Sequence, residues 1–185
     1  TEAQFAEAAV SCRAWANQHP NAQKRELITV NDVLQSRPIA DPLKVLDCSL
    51  VSDGGAAVVI TRRERAQEGP HQPIYVLGYG EGHAYEHISQ ATDLTTSAAV
   101  IAGDAAYAGA GLTPDQIDLM QLYDCFTPAL LIQLEDLGFC RKGEGGDFLA
   151  SGVTRPGGSK PLNTHGGMLS HCHPGNPGAM FGLTE

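Results

Sequence analysis

Pro161–Pro177 reads PLNTHGGMLSHCHPGNP. It gathers Asn163, His165, His171, Cys172 and His173 around the pair Gly166-Gly167. Glycine admits backbone angles closed to other residues and lets a ligand come close to the chain. Imidazole beside a thiol suits nucleophile activation, because the ring can take the thiol proton. A metal site fits less well. The side chains of adjacent His171, Cys172 and His173 diverge, and no carboxylate or second cysteine follows at ligand spacing. The competing reading is a glycine-rich turn carrying solvated histidines.

Working outward, Gln121–Pro128 (QLYDCFTP) lies between an apolar run, Ile117–Leu122, and an amphipathic helix predicted over Thr127–Leu137. Leu130, Leu131, Leu134 and Leu137 share one face of that helix. Strand-to-helix junctions open onto the crevices where α/β sheets bind ligands. Tyr123 there can donate a hydrogen bond to a developing oxyanion. The plainer alternative puts Tyr123 and Phe126 in the core and makes Asp124 the cap of the next helix. For Asp124 the capping role is the preferred expectation. Gly143-Glu144-Gly145-Gly146 is too short and wrongly spaced for a phosphate loop. His83 and His87 have helical spacing, but Gly78, Gly80 and Gly82 argue for a loop there. Ser52-Asp53-Gly54-Gly55 reads as a turn.

Three strands are predicted: Ala56–Thr61 (AAVVIT), Pro73–Gly78 (PIYVLG) and Ile117–Leu122 (IDLMQL). Helices are predicted over 2–18, from a cap at Thr29 or Asn31, over 96–110, over 127–137 and from Gly178 onward. Ser36–Pro42 is expected to be an extended arm. Strands alternating with helices indicate an α/β layered fold. The 185 residues carry 12 Lys and Arg against 21 Asp and Glu, a net charge of −9. That balance argues against nucleic acid as a partner. No apolar run approaches the ~20 residues of a membrane span, and no signal-peptide pattern opens the chain. Five cysteines without a CxxC pair imply reduced thiols and a cytoplasmic setting. Starting at Thr1 within a helical pattern, the chain is expected to be one lobe of something longer.

The motifs Ser52–Ala57, Tyr123–Phe126, Gly143–Gly146, Asn163–Gly167 and Cys172-His173-Pro174, in that order, resemble the carboxy-terminal half of the thiolase superfamily. The sterol-carrier-protein-type thiolases and bacterial lipid-transfer-protein homologues are the most similar branch. The resemblance implies a thiolase-like layered αβαβα fold of which this chain supplies about half. Residues 1–45 would end the loop domain and amino half. Residues 46–185 would form the carboxy-terminal domain, cut before its last strands. It also implies that His173 is the activating histidine and Tyr123 the oxyanion-hole residue, with Asn163, His165, Gly166, Gly167 and Cys172 supporting the loop. No metal and no covalently bound cofactor is implied. Coenzyme A thioesters are the implied substrates.

The expected function is acyl transfer by thiolysis or Claisen condensation, through a cysteine lying in the other half. Cys172 stands where that family has a glycine. Tyrosine at position 123 resembles the branch that works with a zinc-binding OB-fold partner, which includes steroid side-chain retro-aldolases. Those tend to have tyrosine where His173 stands, so His173 favours acyl transfer. Retro-aldol cleavage of a steroid or aryl hydroxyacyl-CoA is the alternative. A non-catalytic acyl-CoA- or lipid-binding subunit is a third. The resemblance implies a homodimer. Arg37, Arg62, Arg63 and Lys160 are weak candidates for the CoA phosphates.

Overall fold

The computed structural model describes residues 1–175 and 177–185. Helix α1, Glu2–Gln18, starts at a capping box: the Thr1 hydroxyl accepts from the Gln4 N–H, and the Gln4 side chain reaches back to Thr1. It stops at His19, whose extended backbone precedes Pro20. Its buried face is Ala6, Ala8, Ala9, Ser11, Cys12, Arg13 and Ala16. Mostly small side chains let other helices come close. Helix α2, Val30–Gln35, is capped by Thr29, with Asp32 closing the box. The extended arm becomes strand β1, Pro38–Ala40, antiparallel to β2, Leu43–Lys44. Helix α3 spans Arg63–Gln67 and α4 spans Ala99–Ala110, the latter ended by Gly111 at φ 68°. Helix α5 is Thr127–Asp136, α6 Gly145–Ala150, α7 Gly167–Ser170 and α8 Gly178–Thr184.

The core lies where α1 meets α5, α6 and α7. Ala8 and Cys12 of α1 pack with Leu130, Leu131 and Leu134 of α5, Leu149 of α6 and Leu169 of α7. Met120 and Leu162 complete the cluster. The Arg13 guanidinium is buried across this junction, donating to Ser170 Oγ at 2.9 Å and to the Glu26 carbonyl at 3.1 Å.

The strands depart from expectation. Ile117–Leu122 contributes one parallel bridge, Met120 to Leu162. Its hydrogen bonds run from Met120 N–H to Pro161 C=O and from Asn163 N–H to Met120 C=O, both 2.9 Å. Ala56–Thr61 and Pro73–Gly78 join no sheet among the described residues. Val59 is 95% exposed and Ile74 93%. A β-branched run becomes a strand when a neighbour takes its N–H and C=O groups and packs on its faces. No neighbour among the described residues does so here. Residues 78–82 nevertheless lie tightly on α4. A Cβ at Gly78, Gly80 or Gly82 would fall 2.2, 2.0 or 2.6 Å from the carbonyl oxygens of Ala106, Ala102 and Ala98.

Candidate active site at the Tyr123–His173 pair

The loop after Leu162 is built around Asn163. Its backbone is left-handed, φ 51°, a conformation asparagine tolerates better than most residues. Its buried amide clasps the backbone of Leu122: Oδ1 accepts from the Leu122 N–H at 2.8 Å, and Nδ2 donates to the Leu122 carbonyl at 2.9 Å. A side chain thus continues the ladder begun at Met120. The next residue, Tyr123, is held from the other side. Gln133 of α5 accepts from the Tyr123 N–H at 3.3 Å and donates to its carbonyl at 2.6 Å.

Asp124 does not cap α5, whose cap position is Phe126. It turns inward, is fully buried, and accepts from the Met168 and Leu169 N–H groups at 2.7 and 3.3 Å. It therefore caps α7, its N–H donors lying 44 and 45 residues along the chain. The Cys12 thiol donates to the same carboxylate at 3.4 Å. Burial raises the Asp124 carboxyl above its ordinary range, against the lowering pull of the two N–H donors. Burial and the facing carboxylate raise the Cys12 thiol well above its ordinary value. Gly167 opens α7 at φ 64°, and a Cβ there would lie 2.0 Å from Asp124 Oδ2. Gly166, at φ 108°, meets Ala16 of α1 in the same way. The glycine pair thus lets the loop touch both helix and carboxylate.

These constraints deliver Tyr123 to His173. The phenol oxygen is 2.9 Å from His173 Nε2, and the rings meet edge to face at 5.6 Å. His173 Nδ1 is 2.7 Å from Ser49 Oγ. The His173 N–H donates to Ser52 Oγ at 3.2 Å. Tyr123 is 38% exposed and Phe126 44%, so neither is core, and the pair faces open space. Burial raises the Tyr123 phenol, and Cys125 and Asp124 push the same way. It stays a neutral donor near neutral pH.

The other predicted loop residues stand beside this pair. His165 is 5% exposed and packs edge-on to His171 at 5.2 Å, which in turn meets His19 at 4.8 Å. Burial first, then His171 and His19, lower His165 to about 4. Among the described residues its Nδ1 has no hydrogen-bond partner, and neither has Gln121 Oε1. Both residues line a cavity of about 50 Å³, shared with Tyr123, Asn163 and Met168, with room for a few waters. Cys172 is buried with its sulfur 2.9 Å from His171 Nδ1, and burial raises its thiol. The His173 ring bonds instead to Ser49 and Tyr123. No group of three or more His, Cys, Asp or Glu among the described residues is placed to hold a metal ion. Lys160 donates to the carbonyls of Asp115 and Ile117, and the Arg63 guanidinium lies 5.1 Å from the centre of the Tyr75 ring.

Ser49, Gln133 and the true target of Asp124 are the parts that sequence reading missed. Ser49 carries no motif of its own, and its partners are remote in sequence.

The thiolase C-terminal domain-like family model matches residues 80–185, which include Tyr123, Asn163, His165 and His173. The chain belongs to that family. This thiolase-like chain is 41% identical over 173 residues to a steroid side-chain-cleaving aldolase of Thermomonospora curvata, covering 90% of this chain and 42% of that protein. It is 38% identical over 175 residues to an acetyl-CoA acetyltransferase of Methanothermobacter thermautotrophicus, covering 94% and 46%. Among solved structures it matches an Ltp2-ChsH2(DUF35) aldolase with a TM-score of 0.92 and 38% identity, over 98% of this chain and 49% of that one. The thiolase-like chain thus spans about half the length of the proteins it matches. Its fold class is the thiolase-like α/β class, as the motifs implied. No helix among the described residues is long and apolar enough to cross a membrane.

Proposed function

We propose that the protein carrying this chain cleaves a carbon–carbon bond in a β-hydroxyacyl-CoA thioester by a retro-aldol reaction, with Tyr123 and His173 as the proton-transfer pair. The carrying observation is that both His173 ring nitrogens are held by hydroxyls, Tyr123 at 2.9 Å and Ser49 at 2.7 Å. A thiol nucleophile would have to displace one of them. The expectation that His173 favours acyl transfer therefore gives way to the alternative reaction, and two of the similar proteins are named as aldolases.

The chemistry balances within the pair. The Tyr123 oxygen takes the substrate's β-hydroxyl proton as its own proton moves to His173 Nε2. The Cα–Cβ bond breaks, its electrons pass into the thioester as an enolate, and the β-carbon becomes a ketone. The proton held by His173 returns through Tyr123, and the enolate is protonated at Cα. The net change moves one proton from oxygen to carbon and consumes no co-reactant. The substrate class is a steroid or aryl hydroxyacyl-CoA. A second subunit accompanies the chain, with the zinc-binding OB-fold type as the candidate, and the chain pairs with its own copy.

The acetyl-CoA acetyltransferase relative favours a second reading, acyl transfer through a cysteine outside this chain with His173 as its base. Tyr123→Phe in the full-length protein separates the two. Ketone release should fall about 10²–10⁴-fold with thioester binding retained. Undiminished cleavage would remove Tyr123 from the chemistry. A cysteine-bound acyl group seen by mass spectrometry, lost in His173→Ala, would establish acyl transfer instead. Tight thioester binding with no turnover of either kind would leave the binding-subunit reading.

A further inference from the structure

We propose that Ser49 is a positioning residue for His173. It holds the imidazole as the Nδ1–H tautomer, so that Nε2 keeps its lone pair for the Tyr123 hydroxyl. The inference rests on the proton-transfer role given above to the Tyr123–His173 pair.

A neutral imidazole carries one N–H and one lone pair. With a hydroxyl at each nitrogen, two arrangements are open. In one, Tyr123 donates to Nε2 and Nδ1–H donates to Ser49. In the other, Ser49 donates to Nδ1 and Nε2–H donates to Tyr123. Phenol is the stronger acid of the two hydroxyls and the better donor to nitrogen. Its oxygen lone pair is drawn into the ring, which makes the serine oxygen the better acceptor. Both preferences select the first arrangement. It is also the one in which Nε2 can receive the tyrosine proton when Tyr123 acts on substrate.

Ser49 is fixed well enough for this task. Its N–H donates to the Cys125 carbonyl at 2.9 Å, and the Leu50 N–H donates to the Met168 carbonyl at 3.0 Å. Cys48 bridges Phe126 in antiparallel register. The serine is therefore laced between the segment bearing Tyr123 and the segment leading to His173. Three residues on, Ser52 Oγ accepts both the His173 N–H and the Gln23 amide, at 3.2 and 2.9 Å. Residues 49–52 thus hold the ring of His173 at one end and its backbone at the other. The hydroxyl of Ser49 has no other partner among the described residues that would compete for this role.

The test is nuclear magnetic resonance of the full-length protein with ¹⁵N-labelled histidine, in the wild type and in Ser49→Ala and Ser49→Thr. In the wild type, His173 should carry its proton on Nδ1. Ser49→Ala should give a mixture of tautomers, and Ser49→Thr, which keeps the hydroxyl, should restore the wild-type pattern. The kcat for carbon–carbon cleavage should fall about tenfold in the alanine variant, the worth of one hydrogen bond. KM should not change, and the threonine variant should recover the rate. A wild-type ring protonated on Nε2 would overturn the proposal. So would an alanine variant whose tautomer is unaltered. A tautomer change without any cleavage activity would overturn the reaction proposed above and leave the role of Ser49 standing.

Discussion

The loop at 161–175 and the segments 51–61 and 73–79 are opposite cases within one chain. The loop is polar, rich in glycine and histidine, and largely buried. The segments hold the β-branched runs and are largely exposed, with Val59 and Ile74 almost bare. Apolar content alone would have reversed this. What separates them is the supply of partners. The loop finds the Leu122 backbone, the Asp124 carboxylate, Ala16 and Ser49, all within the same chain. The apolar runs find no ladder among the described residues. Side-chain–backbone bonding can thus order an irregular loop where β-propensity fails to order a strand.

Gly167→Ala should break the ordered side most severely. The added Cβ would sit 2.0 Å from Asp124 Oδ2, at a backbone angle alanine resists. Either the cap on α7 is expelled or the loop moves. The expected loss is about 4 kcal/mol or more, read by denaturant unfolding. A loss under about 1 kcal/mol would mean that the loop is not held by that contact.

The next effect comes from pH. His165 is lowered from 6.5 to about 4 by burial, His171 and His19. The folded state therefore binds fewer protons than the unfolded state between those values. The stability contributed by neutral His165 is fully present above pH 6.5 and is lost as pH falls toward 4. The slope corresponds to about 3 kcal/mol over that window. His171, also lowered by burial and by His19 but raised by Glu185, adds in the same direction. Asp124, raised by burial, works oppositely, losing stability as pH rises through the carboxylate range. His165→Gln should flatten the pH dependence of unfolding in that window. An unaltered slope would assign it elsewhere.

The smallest effect belongs to the exposed side. Val59→Ser and Ile74→Ser should each change the stability of this 185-residue chain by less than about 0.5 kcal/mol. The same substitutions in the full-length protein sharpen the comparison. A cost there of 1 kcal/mol or more would show that these runs gain partners beyond the chain described.

Much of the site was legible because its chemistry needs recognisable residue types. His173, Tyr123 and the Gly166-Gly167 pair stand out in any reading of what imidazole, phenol and glycine can do. Asn163 was legible as a site residue, but its task of completing a backbone ladder depends on a left-handed φ that no periodicity reveals. Asp124 stands just ahead of α5, which points to a cap on that helix, whereas its carboxylate turns toward α7. Ser49 was illegible, since one hydroxyl among many acquires meaning only from its neighbour. The helices α1, α4 and α5 followed from spacing and caps. The strands failed because pairing is a property of two segments, and a sequence pattern reports on one.

The three glycines on α4 have a metrical consequence. Two residues of extended chain advance about 6.6 Å, and four residues of helix about 6 Å. Gly78, Gly80 and Gly82 meet Ala106, Ala102 and Ala98 in turn, so the two rulers run in opposite directions and nearly coincide. The contact therefore works as a vernier. Sliding the segment by one residue would drive Leu77, Tyr79 and Glu81 into the helix backbone at every graduation at once. Even without a sheet to lock it, this stretch has a single setting.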